Sequence, residues 1–306
     1  MIHVVVLGGS GMLGSMVTDF LARDDELKVG ATVRSASLAQ QYRARLPEVE
    51  WRLLDVATAS DGILSSAVSG ASWAVNAIGL TKPYIHDDNP LEIEHAIKVN
   101  AMFPHELVHA AEKAGASLLQ IATDCVYSGT RGHYVENDSH DPLDVYGKTK
   151  SLGESMSPKM HCLRCSIAGP EPKAYAFLLE WFRRQPPKAH VSGYTNHQWN
   201  GVTTLHFARL CHGIIKQNLE LPHVQHVVPS GTVSKFELLQ SFAREYKRQD
   251  VTVTPTKART VLDRTLSTTN DSLNRQIWRA AGYSSPPTVQ QMVGELAGFD
   301  YRMELS

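Results

Sequence analysis

Short apolar runs alternate with helix-period segments through the first half of the chain. "HVVVLG" (3–8) reads as a buried strand, and the pattern after it predicts a helix over 11–23. "KVGATV" (28–33), "VEWRLLDV" (49–56), "ASWAVNAIG" (71–79) and "ASLLQIAT" (116–123) are four further strands, and "MHCLRCSI" (160–167) a sixth. Helical patterns lie between most of them, notably at 59–68 and 90–114. Such alternation predicts an α/β fold, a doubly wound parallel (Rossmann) sheet with helices on both faces. After Gly169–Pro170 the rhythm changes. Helices are expected at 174–184, 203–217, 234–247 and 287–297, separated by irregular stretches and prolines at 186–187, 255 and 286–287. This divides the chain into 1–169 and a smaller, irregular α/β lobe over 170–306, with 198–218 returning to the first part.

Glycines punctuate the first strand–helix junction in a telling way. "VVVLGGSGMLGSMV" puts Gly8, Gly11 and Gly14 after a strand and at a helix start. That spacing supplies a tight turn, room for a pyrophosphate and close helix–strand packing, with the helix N-terminus facing the phosphates. A glycine triplet alone is weak, but here the strand before and helix after are both present. The second strand ends in "TVRSAS", so Arg34 and Ser35 stand where an NAD-binding protein usually offers a carboxylate to the ribose. A cation and a hydroxyl suit a 2′-phosphate, which favours NADP(H). Asp55, closing the third strand, either accepts from the adenine amino group or caps the segment that follows.

Composition narrows the field further. The 306 residues are 42% hydrophobic and 20% charged, with a net charge of −1. Near-neutrality gives no electrostatic footprint for nucleic acid or an anionic membrane. No run approaches the roughly 18–20 apolar residues of a membrane span, and "MIHVVVLGG" lacks the basic flank and long apolar core of a signal peptide. Four cysteines are too few to staple a chain of this length, which suits a reducing cytosol and a cytoplasmic protein. Cys162 and Cys165 form a CxxC, yet the strand-like alternation around them favours buried thiols over a redox pair.

Tyr146 and Lys150 in "DVYGKTKSLGE" lie one helical turn apart. Spacing alone leaves them either a surface pair or a reactive one. The surrounding motifs decide. "GGSGMLG", "VNAIG", "KVN", "IATDCVYSG" and "VYGKTKSLGE" together resemble an extended short-chain dehydrogenase/reductase, in particular the dTDP-4-dehydrorhamnose reductase branch of nucleotide-sugar reductases. The likeness runs on through "EWFRRQ", "GYTNHQWNGVTTLHFARL" and "HVVPSGTVSKFELLQ", nearly the whole chain. Two departures stand out: Ala122, where that branch commonly has serine before the threonine, and the loop "VNAIGLTKPYIHDD".

The resemblance implies roles. Tyr146 is the acid/base, Lys150 its partner, Thr123 the third member and Asn100 the helix asparagine. Ser10, Met12, Leu13, Val56, Ala77 and Gly79 join the cofactor set with Tyr146 and Lys150. Lys82, Asp124, Trp199, Asn200 and Thr203 are expected on the sugar-nucleotide pocket, and Arg264 on a diphosphate. The implied activity is NADPH-dependent reduction of a 4-keto sugar nucleotide for polysaccharide or glycoside precursors. Rivals are an epimerase or dehydratase, and a non-catalytic subunit like the regulatory β-subunit of methionine adenosyltransferase. Related dehydratases follow the threonine with an Asp–Glu pair, whereas here Asp124 and Cys125 follow. The expected partners are a nucleotide-sugar substrate and, at most, a second copy of the chain.

The chemistry needs these groups for its own reasons. A tyrosine with the ordinary pKa of about 10 is a sluggish donor near neutrality. A lysine cation within about 4–6 Å, with an oxidised nicotinamide, is expected to lower that value. Pro104 cannot bond the carbonyl of Asn100 four residues earlier. That carbonyl either holds the water that the superfamily uses for proton resupply or marks a kink. "HELVH" (105–109) matches a zinc-protease pattern, but it sits on a sheet-covering helix with no third ligand nearby, so no metal is expected. "HVQH" (223–226) reads as a strand entry.

Overall fold

In the computed structural model, which describes residues 1–303, the apolar runs assemble into a seven-stranded sheet. Its strands are β1 (Ile2–Leu7), β2 (Leu27–Val33), β3 (Glu50–Leu53), β4 (Trp73–Asn76), β5 (Ser117–Ala122), β6 (Met160–Arg164) and the strand Val224–His226. The order across the sheet is Val224–His226, β6, β5, β4, β1, β2, β3, and every neighbouring pair is parallel. The chain starts in the middle, builds outward to β3, then returns beside β1. That reversal places a crevice over the C-terminal ends of β1 and β4, where open α/β sheets bind ligands.

Central strands covered on both faces read as continuous apolar runs, which is why Val4, Val5, Val6 and Leu7 are all fully buried. The helices are α1 (Met12–Leu21), α2 (Ala36–Arg43), α3 (Asp61–Ala67), α4 (Pro90–Ala96), α5 (Phe103–Ala114), α6 (Val145–Leu152), α7 (Leu178–Arg183), α8 (Thr204–Gln217), α9 (Lys235–Glu245), α10 (Asp271–Ala280) and α11 (Val289–Ala297). α1 and α8 pack together on one face of the sheet, in a cluster with Met16, Val17, Phe207 and Ile214. α3 and α5 cover the other through Leu64, Phe103 and Leu107. Short strand pairs, His190–Tyr194 with Thr252–Thr256 and Val233–Ser234 with His197–Trp199, build the region after 169.

Four elements depart from the sequence pattern. The sixth strand stops at Arg164, and Ile167–Ala168 pairs separately with Val202–Thr203. The long helix expected at 90–114 is split by a π turn over Ile97–Met102, just before Pro104. The helix expected from 174 begins only at Leu178. α10 was not expected at all, because only Ile277 and Trp278 of its mostly polar sequence are buried apolar residues. Residues 304–306, the end of the expected second lobe, lie outside the described residues. Among the described residues no helix is long and apolar enough to cross a membrane.

Candidate active site

The turn after β1 is built as the glycine spacing requires. Gly8 takes φ +84°, a region that side chains resist, and an added Cβ would press on Ile78 at 2.8 Å. A Cβ on Gly14 would overlap the Gly8 carbonyl oxygen, so α1 rests directly on the turn. Gly8 and Gly9 donate their N–H groups to Thr32 Oγ1 (3.0 Å) and Thr32 O (2.8 Å). Gly11 is the N-cap of α1 and no side chain caps that helix. The first-turn amides at Met12 and Leu13 therefore face the crevice as a site for an anion. Ser10, buried in the turn, receives a hydrogen bond from Lys173.

Around this turn the remaining cofactor candidates converge. Arg34 is exposed at the end of β2. Ser35 caps α2, accepting from Leu38 N at 3.3 Å, and its hydroxyl also meets Ser37 Oγ at 3.0 Å. Asp55 Oδ1 accepts from Ala57 N at 2.9 Å, so one carboxylate oxygen caps its own turn. Val56 beside it is buried. Ala77 N donates to Leu7 O, and Gly79 lies against Asn100 Oδ1.

The reactive candidates meet at the C-terminal end of β5. Thr123 Oγ1 donates to Asp124 Oδ1 (3.2 Å) and accepts from Cys125 N (3.1 Å). Tyr146 lies close enough to Thr123 and Asp124 for both to act on its hydroxyl. Thr123 thus links the Cys125 amide to the Asp124 carboxylate beside that hydroxyl. Asp144 starts α6 by accepting from Gly147 N at 2.8 Å, and it also binds Lys82 at 2.6 Å. Lys82 in turn lies 5.9 Å from the centre of the Tyr146 ring.

Burial raises the Tyr146 pKa well above the usual phenol value, and Cys125 and Asp124 push the same way. Lys150 Nζ donates to Ile121 O at 2.9 Å. The lysine itself is buried, and burial lowers its pKa. Removal from water is the largest influence on this tyrosine.

Asn100, expected among the catalytic residues, holds the walls of the site. Its Nδ2 donates to Leu80 O (2.8 Å) and Thr149 Oγ1 (3.2 Å), while Oδ1 accepts from Leu80 N (2.8 Å). It ties the loop after β4 to α6. Its backbone carbonyl lies in the π turn, closely covered by Gly153, where a Cβ would overlap it.

Pocket candidates divide. Lys82, Asp124 and Arg264 come together: Lys82 and Arg264 both act electrostatically on Asp144 and Cys125. Arg264 Nε donates to Tyr127 O at 2.8 Å. Trp199 is buried, with Nε1 on Ser166 Oγ at 2.8 Å. The amide of Asn200 clamps the backbone of Leu266, at 2.7 and 2.9 Å, which engages both its ends. Thr203 caps α8, its hydroxyl shared with His206, and is buried away from the crevice.

Three features escaped the sequence reading. Lys235 stands over the Trp199 ring at 5.3 Å, its pKa lowered by burial to about 8 while Asp124 and Cys125 pull the other way. Lys173 reaches the glycine turn from the far side of the crevice. Arg164, fully buried on β6, binds Glu154 (2.6 Å), Tyr127 (2.7 Å), His226 (2.8 Å) and His140 (3.0 Å), a polar core behind the site. The strand alternation of "HCLRC" could have flagged that inward-facing arginine.

The decoys resolve simply. His105 bonds Leu152 O and His109 pairs with Glu112 on the same helix. Among the described residues no group of three or more His, Cys, Asp and Glu could hold a metal ion. Cys162 and Cys165 are free thiols that pack into the clusters on opposite faces of the sheet. Val224–His226 is indeed a strand.

Comparison with known proteins agrees with this geometry. The sequence profile described as the RmlD substrate binding domain matches residues 2–298. A dTDP-4-dehydrorhamnose reductase of Streptomyces griseus is 30% identical over 151 residues, 49% of this chain and 43% of the relative. The β-subunit of methionine adenosyltransferase 2 of Bos taurus is 29% identical over 158 residues, 50% of this chain and 41% of that one. The chain thus spans less than half the length of these curated relatives. A Bacillus anthracis dTDP-4-dehydrorhamnose reductase solved with NADP superposes with a TM-score of 0.74 at 18% identity, covering 97% of this chain and 98% of that one. A UDP-glucuronic acid 4-epimerase of Bacillus cereus, solved with its substrate and NAD, reaches 0.73 at 15% identity, covering 98% and 99%. With a family match across almost its whole length, the chain belongs to the RmlD substrate binding domain family, the dTDP-4-dehydrorhamnose reductase-like branch of the extended short-chain dehydrogenase/reductases.

Proposed function

We propose that this protein reduces the 4-keto group of a nucleotide-activated deoxyhexose with NADPH. The observation that carries the reading is the gathering of Tyr146, Thr123 and Asp124 at the end of β5, set beside an uncapped helix N-terminus. The glycine cradle fits a dinucleotide, since Gly8 and Gly14 let α1 sit directly against the turn and present its first-turn amides to the phosphates. Gly8, Ser10, Gly11, Met12, Leu13 and Gly14 would hold its pyrophosphate; Arg34 and Ser35 its 2′-phosphate; Asp55, Val56, Ala77 and Gly79 its adenosine and the floor beneath it. When bound, the cofactor supplies a hydride to the carbonyl carbon.

The chain's own residues do the rest. Thr123 and Tyr146 orient the carbonyl oxygen, and Tyr146 donates the proton that neutralises the developing alkoxide. Lys150, withheld from water and tied to Ile121 O, offers a positive charge that favours the resulting phenolate. Asn100 keeps the loop after β4 and α6 in register. Lys82, Asp124 and Trp199 line the sugar side, and Arg264 stands ready for the diphosphate. Residues 1–169 with 198–218 would form the cofactor domain, and 170 onward the substrate lobe.

Dehydration of the parent sugar is disfavoured by Cys125. Burial, reinforced by Asp124, pushes its thiol up to about 12, so it stays protonated near neutrality and cannot take the proton that a carboxylate base removes in elimination. The test is a panel of 4-keto-6-deoxy nucleotide sugars assayed for NADPH oxidation. Turnover of at least one member is expected. No turnover on any member, with cofactor still bound, would instead support the regulatory-subunit rival.

A further inference from the structure

The segment between the two parts of the chain carries a cation whose surroundings call for a counter-charge. Lys173 lies 163 residues from the glycine turn in sequence, yet its Nζ donates to Ser10 Oγ at 3.3 Å. The side chain is half-buried, and among the described residues no carboxylate lies within ion-pairing distance of it. Burial lowers its pKa, and the one charged group that acts on it, Arg34, is another cation and lowers it further. Two positive side chains are therefore close enough to act on one another beside the glycine turn, one from the end of β2 and one from the opposite wall. An arrangement of this kind is costly unless an anion joins it.

The backbone is specially shaped to deliver that lysine. Ala174 and Tyr175, the next two residues, adopt φ of +73° and +53°, a left-handed conformation unusual outside glycine. The turn is fastened at both sides. The buried Glu171 carboxylate accepts from Phe177 N at 2.7 Å, and the Arg184 guanidinium stacks 3.3 Å from the centre of the Tyr175 ring. A turn pinned in this way holds Lys173 pointing back across the crevice rather than into solvent.

We propose that Lys173 and Arg34 form a two-sided clamp for the 2′-phosphate of the dinucleotide, with Lys173 supplied across the crevice by the 170–177 segment. The proposal rests on the NADPH reading above and deepens it. Selectivity for the phosphorylated cofactor then arises from both sides of the crevice. Adenosine phosphates alone are enough to test this, without any sugar substrate. Calorimetry would compare 2′,5′-ADP with ADP, which differ in where the second phosphate sits, for the wild type and Lys173→Met. The expected result is a roughly ten- to hundredfold weaker affinity for 2′,5′-ADP with ADP affinity unchanged, as for loss of one charge-assisted contact. Lys173→Arg, which keeps the charge, should recover most of the loss, and both variants should match the wild type in Tm. Equal weakening toward both ligands would overturn the assignment and make Lys173 a general pyrophosphate cation. Unchanged affinity for both would overturn it outright. Should the wild type bind neither ligand, the dinucleotide reading itself fails, a result distinct from either of these.

Discussion

In the proposed reduction, Tyr146 carries the heaviest chemical demand. Burial raises its pKa, so the ground state keeps the proton that reduction must deliver. Replacing it by phenylalanine keeps the ring under Lys82 and removes only that proton. Tyr146→Phe should lower kcat by about 10²–10⁴-fold while leaving NADPH affinity within about twofold; a loss below tenfold would contradict the role. At this scale the sequence was informative where a residue's partners are local. The glycine turn is such a case, since Gly11 and Gly14 both contact Gly8 O. The structural contacts of Asn200 and Thr203 were not foreseen. Asn200 is fastened to Leu266, 66 residues away, and Thr203 is occupied in capping its own helix. Lys173 and Lys235 were invisible because nothing near them in the chain marks a cleft.

Elements position these residues through glycine contacts. Gly147 sits in α6 against the carbonyl of Cys125, and a Cβ there would overlap that oxygen and press Pro142 at 2.7 Å. Gly147→Ala should push α6 away from the end of β5, carrying Tyr146 from Thr123. Activity should fall at least tenfold and Tm by several degrees, as misplacement of about an ångström suffices for such a loss. Gly62→Ala in α3 is the control, since its nearest neighbour would be 4.0 Å away and alanine favours the helix. Equal effects at both positions, by kinetics and thermal melting, would contradict the packing argument. Strand–helix alternation made the sheet legible because buried parallel strands have an apolar signature of their own. The π turn at Ile97–Met102 was not legible, because helical periodicity survives a single widened turn. α10 was lost through too few apolar residues.

Across the whole molecule, buried histidines couple stability to pH. His226 accepts from Arg164 through Nε2 and donates through Nδ1 to Ser267 O at 2.7 Å, so a second proton would face a guanidinium. Burial, then Arg164, holds it at about 4. His206 is likewise held at about 4, chiefly by burial. Both folded values lie below the ordinary 6.5, so the unfolded chain takes up protons that the fold refuses. Their stabilisation is complete above pH 6.5 and is lost as pH falls toward 4, on the order of 3 kcal/mol for each. The carboxylate of Glu136, held at about 2 by Thr268 and its neighbours against the opposing effect of burial, adds its own loss only at lower pH. Thermal melting from pH 7 to 5 should therefore show a steady fall in Tm that His226→Gln makes shallower; a flat profile would contradict it. The central claim is that hydride and proton arrive at a single sugar carbonyl. Its most direct measurement uses NADPH deuterated on the transferring face with dTDP-4-keto-6-deoxyglucose, and mass and NMR analysis of the product. The account predicts one deuterium, at C4, with one NADPH consumed per sugar reduced. Unlabelled product, or a 4-keto-6-deoxy product formed from a fully hydroxylated nucleotide hexose and NAD, would contradict it.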